Sequence, residues 1–316
     1  MNILLANPRG FCAGVNRAIA IVRSALHDAG EQVYVLHEIV HNTHVLNDLK
    51  NLGALFVEDL DDIPTGSLVI FSAHGVSRAV EEQARQRQLR TIDATCPLVA
   101  KVHKRIIRLH KMGCAVLVLG HKGHPEVEGT CGQIPGPVFV ISKPEEVKNL
   151  PISPEMRVGY VTQTTLSVDD TKDLLEAMYS HFPHIEGPDR TDICYATTNR
   201  QAAVRQLAGQ TAVFQRRLAE SCDIVLIVGS KNSSNSNRLQ EVALTLHTPA
   251  YLIDHADEIN PAWLERIKRV GVSAGASAPE HLVAGVIAKL QQICPARVEE
   301  MQGKDELINF SLDTTS

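Results

Sequence analysis

The sequence predicts an α/β fold of three pseudo-symmetric units. Three observations carry that expectation. Apolar segments of strand length alternate with segments whose apolar residues recur at helical spacing. The strand segments are apolar throughout, as in parallel sheets covered on both faces. One cysteine-led pattern also occurs three times: Cys12 in PRGFCAGV, Cys96 in DATCPLV and Cys194 in DICYATTN.

The first unit opens on a strand at 3–7. A helix over 16–29 follows, with Ala18, Ile19, Ile21, Val22 and Leu26 on its apolar face, and Gly30 ends it. Strands come next at 33–37 and 68–74. In the second unit the helix spans 99–110 and the strands 114–120 and 157–163, with prolines 135, 137, 151 and 154 marking loops. In the third the helix spans 199–219 and the strands 223–229 and 269–275. The boundaries fall at the cysteines: 1–95, 96–193 and 194–297, followed by a polar tail, 298–316. Cys12 to Glu38 and Cys96 to Lys122 each span 26 residues, and Cys194 to Lys231 spans 37. The excess, about three helical turns, is read as a lengthened helix around 206–217.

Bulk composition excludes several classes. The 316 residues are 44% hydrophobic and 21% charged, ordinary for a soluble globular protein. A net charge of −5 argues against phosphate-backbone binding to nucleic acid, and 4% aromatic content offers few base-stacking platforms. The longest apolar runs are strand-sized, short of a membrane span. The N-terminus lacks a basic, apolar leader. Seven cysteines, an odd number, fit reduced thiols in a cytoplasm.

One cysteine at an equivalent position in each repeat points to one shared centre on a threefold axis. Three converging thiolates describe a metal site: zinc with an open fourth position, or a [4Fe–4S] cluster with one iron free. There is no CxxC spacing. Cys114 and Cys222 each open an apolar strand and read as core cysteines, and Cys131 and Cys294 have no supporting context. In each unit two strands end in polar loops, and in α/β sheets ligands bind at the carboxyl ends of strands. His41, His74 and His124 lie in such loops, where an imidazole binds an anion, a metal or a proton. Ser233, Ser234, Asn235 and Ser277 follow strands and precede helices, so they present donors to an anion or cap the helix. Together with the histidines they describe a phosphate or diphosphate pocket. Glu126, in GHPEVEG, is a candidate general acid, with Glu128 two residues on as the alternative carboxylate. Thr164 and Thr165 either hydrogen-bond a substrate or cap the next helix.

PRGFCAGV, HEIVHN, FSAHGVS, DATCPLV, GHPEVEGT, TQTTLSVDDT, DICYATTNRQ, GSKNSSNSNRL and GASAP, in that order, resemble the 4-hydroxy-3-methylbut-2-enyl diphosphate reductase family from about Asn2 to Pro279. The resemblance implies three α/β units in a trefoil around a [4Fe–4S] cluster held by Cys12, Cys96 and Cys194. It implies that His41, His74, His124, Ser233, Ser234, Asn235 and Ser277 hold a small-molecule diphosphate. Glu126 would donate the proton, with Thr164 near the hydroxymethyl end. The implied reaction is the last step of the methylerythritol phosphate route to isoprenoids. It is a two-electron reductive dehydroxylation giving isopentenyl and dimethylallyl diphosphate. A flavodoxin or ferredoxin is the expected electron donor, with no nucleic acid and no membrane span. The lengthened stretch at 211–217 and the tail after Cys294 depart from the family pattern. The alternative reading is a three-cysteine zinc hydrolase of a phosphorylated substrate.

Overall fold

The computed structural model describes residues 1–188, 191–209 and 221–312. In chain order the first elements are β1 (Asn2–Leu5), α1 (Ala13–Asp28), β2 (Val33–Leu36), α2 (Thr43–Asn51), β3 (Leu55–Val57), β4 (Leu68–Phe71), α3 (Arg78–Gln86) and β5 (Arg90–Asp93). Next come α4 (Pro97–Lys111), β6 (Ala115–Leu119), α5 (Pro125–Cys131), β7 (Val138–Ile141), β8 (Val158–Thr162), α6 (Val168–His181) and β9 (Ile185–Glu186). The last are α7 (Tyr195–Leu207), β10 (Ile224–Val228), α8 (Ser234–Thr245), β11 (Ala250–Ile253), β12 (Arg269–Ala274), α9 (Glu280–Ile293) and β13 (Arg297–Glu300). Among the described residues no helix is long and apolar enough to cross a membrane.

Three all-parallel sheets result, ordered β3-β2-β4-β5, β7-β6-β8-β9 and β11-β10-β12-β1-β13. The first four positions repeat: an edge strand, two central strands, and a fourth strand whose loop leads to a lead cysteine. β5 leads to Cys96, β9 to Cys194 and β1 to Cys12. The N-terminal strand therefore occupies in the third sheet the place that β5 and β9 hold in theirs. Helices α1, α4 and α7 each begin on the residue after the cysteine, earlier than helical periodicity alone placed them. The lengthened helix expected around 206–217 lies largely outside the described residues; within them α7 ends at Leu207.

The chain divides into two compact units. One comprises Met1–Ala13, His41–Val45 and Tyr195–Asn309, and contains the five-stranded sheet. Its strand β10 is buried along its whole length. Ile224, Leu226 and Val228 face Leu282, Val283, Val286 and Leu290 of α9, while Val225 and Ile227 face Val204 and Leu207 of α7 and Leu239 of α8. Burying each such side chain contributes ~1.5–3 kcal/mol, so every strand position is apolar and the pattern is continuous.

The other unit comprises Gly14–Val40, Leu46–Cys194 and Phe310 with the described residues after it, and contains both four-stranded sheets. In β6, Leu117 and Leu119 pack with Leu174 and Met178 of α6, and Val116 and Val118 with Val102, Ile106 and Leu109 of α4. Helix α5 closes on the loop after β4. The amide of Arg78 donates to the Gly132 carbonyl at 3.2 Å, and Gln133 Nε2 donates to the Val76 carbonyl at 2.7 Å. The approach requires glycine at 129, where a Cβ would stand 2.9 Å from the Gly75 carbonyl oxygen, a backbone atom. His103 of α4 packs on the other side of Gly75, and burial pushes its pKa down to about 4.

Two outcomes follow from this packing. Gly129→Val should lower stability by about 1–3 kcal/mol, the usual cost of overpacking; an unchanged urea midpoint would contradict the close approach. His103 is held neutral, with a folded pKa below its unfolded value of 6.5. Its contribution is present above pH 6.5 and lost as pH falls toward 4. His103→Leu should flatten the stability–pH curve across that window in urea titrations, and an unaltered slope would remove His103 from the acid transition.

Candidate functional site

All three lead cysteines are anchored by the same backbone bond. Cys12 N–H donates to Ala276 O at 3.2 Å, Cys96 N–H to Ala73 O at 3.0 Å and Cys194 N–H to Thr164 O at 3.0 Å. Each acceptor lies two residues past the end of the second central strand of its sheet: β12, β4 and β8. Each cysteine thus sits at the carboxyl end of a parallel sheet, immediately ahead of a helix, partly exposed and outside any disulfide. Three of the other four cysteines differ. Cys222 is buried and its thiol is pushed up to about 12, Cys131 is pushed up to about 11, and Cys114 is raised, all by desolvation. Metals bind thiolates, so these three are poor ligands. Among the described residues no three His, Cys, Asp or Glu side chains gather for a single metal ion.

In the unit with the two four-stranded sheets, Glu126 and Thr164 are in contact. Glu126 is 3% exposed on the first turn of α5. Its Oε1 accepts the Thr164 amide at 2.6 Å and its Oε2 accepts the Thr164 hydroxyl at 2.8 Å. Thr164 is therefore a partner of the carboxylate, and Ser167 caps α6. His124 caps α5, with Nδ1 accepting the Glu126 amide at 3.1 Å. An amide can only donate, so the proton of neutral His124 is on Nε2. The His74 ring meets His124 edge-on, centroids 5.8 Å apart. Glu128, the alternative carboxylate, lies exposed. Gln163, absent from the sequence-based set, is 2% exposed. It accepts the His121 amide at 3.0 Å and donates to Thr165 Oγ1 at 3.0 Å, joining the two strand-end loops.

In the other unit the strand-end loops close on α8. Ser233 caps that helix, its Oγ accepting the Ser236 amide at 3.3 Å and the Ser236 hydroxyl at 3.0 Å. Ser234 is the first helical residue. Asn235 is 5% exposed, and neither its Nδ2 nor its Oδ1 has a hydrogen-bond partner. A buried amide left so forgoes ~1–3 kcal/mol, which a bound polar ligand would recover. Ser277 Oγ donates to the His41 carbonyl at 2.9 Å. Residues His41–Val45 enter this unit as a short excursion of the chain, held also by the Thr43 amide on Ser230 Oγ at 3.3 Å and by the His44–His255 edge contact. The predicted residues therefore fall into two groups. Cys12, His41, Ser233, Ser234, Asn235 and Ser277 are in one unit, and Cys96, Cys194, His74, His124, Glu126 and Thr164 in the other.

A set of arginines went unnoticed in the sequence. Arg200, on α7 after Cys194, is 1% exposed and donates through Nε to Gly10 O at 2.9 Å and through Nη2 to Phe11 O at 3.3 Å, just ahead of Cys12. Arg17, on α1 after Cys12, donates through Nη1 to Thr95 O at 3.1 Å, just ahead of Cys96. Arg105, on α4 after Cys96, pairs with Asp192, two residues ahead of Cys194. Tyr195 OH accepts the Ala13 amide at 3.3 Å beside Cys12. An arginine five, six or nine residues after each cysteine was the available signal; it was lost among ordinary helical cations.

Known proteins agree with this architecture. A curated relative from Actinobacillus succinogenes is 50% identical over 99% of this chain and 97% of its own, and one from Tolumonas auensis is 53% identical over 96% and 95%. Both carry the name 4-hydroxy-3-methylbut-2-enyl diphosphate reductase. The solved structure of the E-1-hydroxy-2-methyl-but-2-enyl-4-diphosphate reductase from Plasmodium falciparum superposes with TM-score 0.88 at 35% identity, covering 96% of this chain and 93% of its own. A second, described as the terminal enzyme of the non-mevalonate pathway, gives TM-score 0.64 at 34% identity over 92% and 100%. With residues 3–291 matched by the model for the LytB protein, the chain belongs to the LytB family.

Proposed function

We propose that this protein reduces (E)-4-hydroxy-3-methylbut-2-enyl diphosphate to isopentenyl and dimethylallyl diphosphate, using a [4Fe–4S] cluster held by Cys12, Cys96 and Cys194. The observation that carries the proposal is the equivalent anchoring of three partly exposed cysteines, one per sheet, beside strand-end loops rich in hydrogen-bonding groups. The donor set fits: three soft thiolate ligands suit iron–sulfur chemistry, and a missing fourth leaves one position open. When bound, the cluster supplies electrons and an open iron acting as Lewis acid toward the substrate hydroxyl. The alternative is a three-cysteine zinc site; the reductase name carried by the relatives favours the cluster, because zinc supplies no electrons. A cytoplasmic setting, a flavodoxin or ferredoxin donor, and a repeat running 1–95, 96–193 and 194–297 with a tail at 298–316 belong to the same proposal.

The chain's own groups divide the work. Nε2–H of His124, with His74 and His41, would donate to diphosphate oxygens, as would the unpartnered Asn235 amide and the first-turn amide of α8 at Ser234; Ser233 would shape the turn as the cap of α8, and the Ser277 hydroxyl would join by turning from the His41 carbonyl. Glu126 is buried and accepts from Thr164 through both oxygens, so a proton held on Oε2 would pass to Thr164 Oγ1 while the Thr164 hydroxyl proton passes to the leaving oxygen. Thr164 is thus the relay and Glu126 the proton reservoir.

Anaerobically purified protein should be brown, hold about four irons per chain, and turn over the hydroxylated diphosphate with a small chemical reductant. Colourless protein containing zinc would refute the cluster. Replacing Cys12, Cys96 or Cys194 by serine should cut iron content, whereas Cys222→Ala should leave it intact. Glu126→Gln should keep the iron and lose roughly 10²–10⁴ in kcat, the span for a lost general acid. Thr164→Val should resemble Glu126→Gln and Thr164→Ser should retain most activity; equal rates for Val and Ser would eliminate the relay.

A further inference from the structure

We infer that Arg200, Arg17 and Arg105 are positioning residues for the three cysteine loops, and that the C-terminal segment from Arg297 to Ser311 is a strap that completes two of these braces and so governs how firmly a cluster is kept. The inference rests on the cluster assignment proposed above, but its geometry stands on its own. The helix after each cysteine sends an arginine to the loop of another cysteine in a closed cycle: α1 to the Cys96 loop, α4 to the Cys194 loop and α7 to the Cys12 loop.

The strap follows the N-terminal segment step for step. β13 pairs with β1 from Asn2↔Arg297 to Leu5↔Glu300, and the Met301 amide continues to Leu5 O at 3.0 Å. Gly303 then lies on the backbone of Asn7, where a Cβ would be 2.1 Å from the Asn7 carbonyl oxygen. Glu306 pairs with the Arg200 guanidinium at 3.1 Å and accepts from Asn199 Nδ2 at 2.9 Å. A guanidinium this buried is tolerable only if paired, because its desolvation costs several kcal/mol. Glu306 is the only carboxylate paired with Arg200 among the described residues. Removing its charge frees Arg200 to seek water and releases the Gly10 and Phe11 carbonyls that set Cys12. In the other unit Arg17 Nε donates to the Ser311 carbonyl at 2.8 Å while its Nη1 holds Thr95. One strap therefore touches two arginines, each of which holds the carbonyl one residue ahead of a lead cysteine.

The test uses full-length Glu306→Gln and Gly303→Val, with Phe182→Leu as a core substitution that lowers stability away from the strap. In metal-free protein, amide hydrogen exchange of residues 9–13 should be about tenfold faster in both strap variants, as expected for the loss of one charged hydrogen-bond partner in a local opening equilibrium. It should be unchanged in Phe182→Leu. In reconstituted protein the visible absorbance should fade faster in air, and the reduced-cluster paramagnetic signal should shift, in the strap variants alone. Wild-type exchange and fading in both strap variants would overturn the inference, as would equal effects in Phe182→Leu. Wild-type protein that takes up no iron would instead sink the cluster reading, while the exchange measurement would still decide the strap.

Discussion

A single backbone bond, repeated three times, organises this protein. The amide of each lead cysteine donates to the carbonyl two residues beyond a central strand. That bond fixes the cysteine at the carboxyl end of a parallel sheet, where strand-end loops already gather. It also fixes the start of the following helix, so the sulfur sits at the N-terminal end of α1, α4 or α7. Loops that bear histidine, serine and threonine follow the same strands, so the anchor and the polar residues share one framework. An exposed loop cysteine without this bond would sample many positions; the carbonyl restricts it to one.

The Glu126–Thr164 pair shows how a proposed catalytic contact is built from that framework. Thr164 supplies its carbonyl to Cys194 and its amide and hydroxyl to Glu126. One residue thus ties a proposed metal ligand to a proposed proton source. The close approach of α5 to the loop after β4 depends on glycine at 129, and it sets His74 against His124. Burial of Glu126 is compensated by two short hydrogen bonds, in keeping with the high cost of an unpaired buried carboxylate.

Much of the site was legible because its chemistry is local in sequence. His41, His74 and His124 each follow an apolar strand in a short polar loop, Asn235 opens the helix after such a loop, and the repeat makes the positions of Cys12, Cys96 and Cys194 stand out. The roles of Ser233 and Ser277 were not separable by sequence: Ser233 Oγ caps α8 and Ser277 donates to the His41 carbonyl. The arginines went unseen because their partners are backbone carbonyls, and a carbonyl has no signature in the residue code.

The sequence by itself determined the α/β class, the three cysteine-led repeats, the continuously apolar central strands and the residue types of both polar groups. These follow from periodicity and from the burial that parallel strands require. Only the tertiary structure decided that β1 closes the sheet of the last repeat, that β13 pairs beside it, and that Arg200, Arg17 and Arg105 brace the cysteine loops. The reason is physical: edge strands such as β5, β9 and β13 are short and none is buried, so they carry little apolar pattern, and pairing between distant segments is settled by backbone hydrogen bonds that every residue offers alike.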